Sequence, residues 1–394
     1  MSTGGGVRAE EELFGVRGLL AVGSGLARGA VVVRGGRIVE VALGSGGLDL
    51  PERVYESAIV SAGFIDLQVN GGFGVEVSDS AEAIRHLSEQ LPATGVTSFL
   101  PTLVSSAAEV YPRACQAFVR GREAAGAVPL GLHLEGPFLS RRRAGAHRAS
   151  AIEGASEEVF EPFLAEGVLR LVTLAPEEAR GLERIRRLRG EGVVVSLGHT
   201  DATYEEFVCG IDAGAEMATH LFNAMSGFSH RAPGAVGAAL VDDRVTVGLI
   251  ADGVHCHPAS VRLAVKAKGA ERVALVTDSI AGAGMEPGVY QLDGRDILVD
   301  ETLAKLRDGK LAGSVLSLDQ AVRNVVEWAG SSVSEACRMA SEVPAKVLGL
   351  DSKGTLAPGK DADLVLLDDK LHVTATFRNG VSVYRSTPER PRAS

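Results

Sequence analysis

Leu130-Gly-Leu-His-Leu-Glu135 is a short apolar run that ends on a carboxylate. Three other runs have the same form: Val193-Val-Val-Ser-Leu-Gly-His199, Met217-Ala-Thr-His220 and Val273-Ala-Leu-Val-Thr-Asp278. Runs this short, rich in β-branched residues, read as buried strands rather than helices. Each closes on a side chain that can ligate a metal or move a proton. In a parallel barrel the working side chains come from the C-terminal ends of several strands. The four endings therefore predict a barrel with a site at one mouth.

Working outward, further strands are expected at 63–69, 97–102, 169–174 and 246–251, which brings the total to eight. Helical patterns fall between them, among them 80–94, 178–190 and 259–268. Alternating strand and helix predicts an α/β (β/α)8 TIM-type barrel, assigned to residues 62–353, with helices at 318–329 and 334–348 packed outside it. The two ends read differently. Gly35-Gly36 separates Ala30–Arg34 from Arg37–Ala42, and Asn379-Gly380 separates Val373–Phe377 from Val381–Tyr384. Both dipeptides are hairpin signals. Isolated hairpins are marginal, so the ends are expected to combine into one small β-sandwich domain, residues 1–61 with 354–394.

Composition agrees. A chain of 394 residues, 45% of them hydrophobic, can fill one barrel and a smaller domain. The net charge of -10 argues against a broad nucleic-acid footprint. The four cysteines, Cys115, Cys209, Cys256 and Cys337, lack CxxC spacing and suit a reducing compartment. Residues Met1 to Glu12 lack the basic and apolar regions of a signal peptide, and no run of about 18 apolar residues suggests a membrane span. A soluble, cytoplasmic chain is expected.

Glu135, His199 and His220 form a ligand set that suits zinc and leaves positions open for water and substrate; iron, cobalt and manganese are alternatives. Asp278, at the end of the last of these strands, is placed to move protons. Barrel hydrolases with two metals often carry His-x-His in the first strand, where this chain has Gln68-Val-Asn70. Amides ligate transition metals poorly, so one divalent metal is expected. Cys256 reads as a bystander thiol, and Arg141-Arg-Arg143 as a solvated loop in preference to a patch that steers an anionic substrate. Gly23-Ser-Gly25 lacks the strand–turn–helix setting of a dinucleotide loop.

Several longer motifs carry a resemblance: Ala62-Gly-Phe-Ile-Asp-Leu-Gln-Val-Asn-Gly71, Leu100-Pro-Thr102, His133-Leu-Glu-Gly-Pro137, Gly198-His-Thr200, Thr219-His-Leu-Phe-Asn-Ala-Met225, Ala251-Asp-Gly-Val-His255 and Val276-Thr-Asp278. On these the chain resembles the amidohydrolase superfamily in its mononuclear-metal branch, over nearly its whole length. Ala62 stands where that family commonly has Pro, and Ser314-Val-Leu316 replaces paired serines. The resemblance implies Glu135, His199 and His220 as ligands and Asp278 as general base, then acid. It implies substrate contacts from Ala146, His147, Asn223, Ala224, Arg231, His255, Leu311, Ala312 and Gly313. The implied substrate is a small amino-sugar phosphate, N-acetylglucosamine-6-phosphate before its galactosamine epimer, cleaved at its acetamide. A guanidinium matches phosphate oxygens in a fork, which makes Arg231 the expected anchor. In the family that arginine reaches a neighbouring subunit's site, so a homodimer is implied. A silent sugar-phosphate-binding barrel is the rival outside enzymes.

Overall fold

The computed structural model describes residues 13–44, 50–78 and 80–387. The signal-peptide reading of Met1 to Glu12 lies outside them. Eight parallel strands follow one another around a barrel: Phe64–Val69, Val96–Val104, Leu132–Glu135, Leu169–Leu174, Val194–Leu197, Met217–Ala218, Thr246–Leu249 and Val273–Leu275. A parallel bridge between Val69 and Ser279 joins the last to the first. Asp278 N donates to Gln68 O (2.9 Å) and Asn70 N to Ser279 O (2.9 Å) across the same seam. Buried Asp66 accepts from the Thr277 hydroxyl at 2.6 Å. The strands are buried on both faces, which is why they read as continuous apolar runs instead of alternating ones.

The helices begin where the sequence offers caps. Ser80 Oγ accepts from Ala83 N (3.2 Å) at the head of Ala81–Gln90, and Thr203 with Glu206 forms a capping box on Tyr204–Asp212. The expected helix at 334–348 is two, Val333–Ala340 and Glu342–Val347, broken at Ser341. Pro344 explains the break. In a continuous helix its ring would clash and a bond would be lost, whereas in the first turn of a new helix neither cost arises.

The ends of the chain meet in one seven-stranded sheet. Its order is Val381–Arg385, Val373–Arg378, Leu364–Leu367, Val54–Ala62, Leu13–Val22, Gly25–Arg34 and Arg37–Leu43. The sheet curls on itself, so that its halves face each other as in a sandwich. Phe14 stacks on Phe377 with centroids 5.3 Å apart, although their strands are not neighbours. At the rim, Ile38 N donates to Lys360 O and Ala362 N to Gly36 O, both at 2.9 Å. Val16, Leu20, Val31, Ile38, Leu364 and Leu366 fill the space between.

One element was not expected from the sequence. A three-stranded antiparallel sheet, Gly288–Leu292, Arg295–Val299 and Ala304–Leu306, follows the eighth barrel strand. Leu292 and Ile297 pack it against Val104, Ile280 and Ala146, over the barrel mouth. Asp293-Gly294, which turns its first hairpin, is a hairpin signal of the same kind as Asn379-Gly380.

Candidate metal centre and active site

Glu135 closes the third barrel strand. His199, His220 and Asp278 do not sit in strands as the sequence suggested. Pairing stops at Leu197, Ala218 and Leu275, and the three residues lie just beyond with φ of 47°, 31° and 51°. This left-handed turn is strained for a side chain other than glycine, and such strain gathers at functional sites.

The turns bring the ligand atoms together. Glu135 Oε1 lies 3.1 Å from His199 Nε2 and 2.9 Å from His220 Nε2, and the two ring nitrogens are 3.1 Å apart. His199 Nδ1 donates to Arg143 O at 2.8 Å, which fixes the ring and turns Nε2 toward the centre. Two ring nitrogens and a carboxylate oxygen converge on one buried point, the donor set that a divalent cation would share. The three residues fit one divalent metal ion, and no other such cluster exists among the described residues. Burial alone would raise the Glu135 carboxyl, but the imidazoles of His199 and His220 beside it hold it well below the usual carboxylate range. Gly145, at φ +58°, lets the following loop pass close over His199; a Cβ there would lie 3.1 Å from Cε1.

His147 enters from that loop. Ser105 N donates to its Nδ1 (3.2 Å), which leaves Nε2–H facing Glu135 Oε2 at 3.8 Å. Burial lowers its pKa to about 3, so the ring is a neutral donor. Asp278 faces the centre from the far side of the seam. Gln68 Nε2 (3.1 Å) and Asn70 Nδ2 (2.6 Å) both donate to its Oδ1, and burial pushes the carboxyl up to about 7. Ser314 N donates to Asp278 O (2.8 Å), which fixes the turn from the following loop.

These groups line a cavity of about 410 Å³. Ala146, His147, Asn223, Ala224, His255, Leu311 and Gly313 line it with the four central residues, and Ala312 is buried behind the wall. Arg231 is not among them; it is exposed on the turn that pairs Ser229 with Ala232. Cys256 is buried, and that burial pushes its thiol up to about 12. His133, inside the barrel, contacts Leu67 O (3.1 Å) and the Thr173 hydroxyl (2.8 Å) and takes no part in the centre.

Sequence reasoning missed several contributors. Asp252 accepts from His255 Nδ1 (2.7 Å) and from the amides of Val254 and His255, an Asx turn legible in Asp252-Gly-Val-His255. The solvated-loop reading of 141–143 needs correction in part. Arg142 and Arg143 line the pocket and pair with Asp201, and the Arg143 carbonyl orients His199. Arg295 and Lys310 also line the wall, brought there by the unexpected sheet.

An amidohydrolase family model matches residues 59–383. A curated human N-acetylglucosamine-6-phosphate deacetylase is 39% identical over 420 residues, covering 98% of this chain and 100% of that protein. An N-acetylgalactosamine-6-phosphate deacetylase from Escherichia coli O157:H7 is also 39% identical, over 82% of this chain and 88% of its own. Among solved structures, the crystal structure of N-acetyl-D-glucosamine-6-phosphate deacetylase from Mycobacterium smegmatis superposes with a TM-score of 0.89 at 36% identity, covering 94% of this chain and 100% of that one.

Proposed function

Because the chain belongs to the amidohydrolase family, and within it to the amino-sugar-phosphate deacetylases, we propose that it hydrolyses N-acetylglucosamine-6-phosphate to glucosamine-6-phosphate and acetate. The observation that carries this reading is the convergence of Glu135, His199 and His220 within one cavity that Asp278 also lines. The ligand set favours zinc. Glu135, His199 and His220 would hold a divalent ion, which would acidify water and polarise a carbonyl. The chain's own groups do the rest. Asp278 takes one proton from water as its oxygen bonds to the acetyl carbon. As the carbon–nitrogen bond breaks, the same carboxyl hands that proton to the departing nitrogen, so the amine leaves neutral and Asp278 is regenerated. His147 Nε2–H is a donor for the oxygen on which negative charge develops.

The phosphate end is assigned to His255, held by Asp252, with the Asn223–Ala224 segment. Arg231 completes it from a second subunit. Support comes from its exposure outside its own chain's pocket, three residues along the chain from Phe228, which is 62% exposed. Free, unpaired cysteines among the described residues fit a cytoplasmic setting. No helix among those residues is long and apolar enough to cross a membrane.

Acetate release from N-acetylglucosamine-6-phosphate and from N-acetylglucosamine, measured side by side on metal-loaded protein, tests the reading. Strong preference for the phosphorylated sugar is expected. Equal rates would remove the anion site, and silence on both would remove the reaction. The galactosamine epimer belongs in the same assay, because a relative of equal identity carries that name. Faster turnover of it would reverse the epimer assignment.

A further inference from the structure

Gln68 and Asn70 stand where a second metal's ligands would be expected, and they have no part yet in the chemistry. Both are buried, at 2% and 3% exposure, and both aim an amide donor at the same oxygen of Asp278. Their backbone is fixed. Asp278 N donates to Gln68 O, Asn70 N to Ser279 O and Val77 N to Asn70 O, each at 2.9 Å. Asn70 bears a visible cost, since its Oδ1 is buried without a hydrogen-bond partner. A leucine of similar size would avoid that cost. What only the amide supplies is the 2.6 Å donor to Asp278.

We propose that Gln68 and Asn70 are positioning residues for proton transfer, pinning Asp278 Oδ1 so that Oδ2 alone carries the proton between water and the leaving nitrogen. A carboxylate is otherwise a broad two-fold rotor. Two donors on one oxygen lower its basicity and stop the rotation, which leaves its twin aimed into the cavity. The proposal rests on Asp278 as the general base and acid.

Asn70→Leu is expected to lower kcat roughly 100-fold and Gln68→Met roughly 10-fold, with KM and metal content per chain unchanged. The decisive comparison is a double-mutant cycle. In an Asp278→Asn background Asn70→Leu costs little further, because the residue it acts through is already disabled. Full additivity, or a change confined to KM, would overturn the proposal. Asn70→Ser keeps a short donor and guards against misfolding of the leucine variant. Its kcat should fall between the two, and a kcat no better than that of a folded Asn70→Leu would also count against the proposal. If Asp278→Asn alone keeps wild-type turnover, the acid/base reading fails first and the proposal with it.

Discussion

Asp278 and His199 show how much one turn residue controls. Both lie beyond their strands at positive φ, and each is held by bonds that do not depend on its own strand. Asp278→Asn keeps the shape and removes the base, so kcat is expected to fall about 100- to 10,000-fold while the metal stays bound. Metal analysis alongside initial rates checks this, and substantial remaining turnover would place the base elsewhere. The thiols give a second test. Burial pushes Cys115 and Cys337 up to about 11 and Cys256 to about 12, and only Cys209 is exposed. Alkylation of the native protein at mildly alkaline pH should mark Cys209 alone. Labelling of Cys256, detected by mass spectrometry, would show that the packing behind Asn223 opens.

Among the elements, the turn after the fifth strand and the loop from Ser140 to His147 act as a clamp. Ser140 N donates to His199 O and the Arg143 carbonyl accepts from His199 Nδ1, both at 2.8 Å, while Arg143 reaches back to Asp201. Asp201→Ala should therefore weaken metal binding about 10-fold, as loss of an outer hydrogen-bond partner commonly does. Competition with a chelating dye measures it, and unchanged affinity would mean the loop holds its place without the ion pair. Gly198 packs against the residue that follows the sixth strand, where a Cβ would come within 2.8 Å of Thr219 Cβ. Gly198→Ala should cost about 1–3 kcal/mol by overpacking, read from urea unfolding. The barrel strands and both terminal hairpins were legible because buried apolar runs and Gly-Gly or Asn-Gly turns are local signals. The strand ends were not. Nothing in Val276-Thr-Asp278 announces that pairing stops at Leu275, because the turn is imposed by Gln68 O, Ser314 and the barrel seam. Arg295 was invisible for the same reason. Its place at the pocket follows from how a distant hairpin packs on Val104 and Ile280.

For the whole molecule, the curled terminal sheet and the barrel are joined through Gly63, between strands Val54–Ala62 and Phe64–Val69. Phe377 is 1% exposed in the sheet's core, so Phe377→Ala should cost about 3–5 kcal/mol. Differential unfolding of that variant tests whether the sheet and the barrel unfold together. A shared site across two subunits has a sharper test. Arg231→Ala and Asp278→Asn should each be impaired alone, yet mixed subunits should regain activity, since one hybrid site has both an intact base and its partner's arginine. No recovery after confirmed subunit exchange would confine Arg231 to its own chain or to the surface. Everything proposed for the site depends on one divalent metal on Glu135, His199 and His220 serving an amide hydrolysis. It is tested most directly by titrating metal-free protein with zinc while following acetate release from N-acetylglucosamine-6-phosphate. Activity is expected to rise linearly and level off at one zinc per chain; no rise, or a plateau at two, would contradict it.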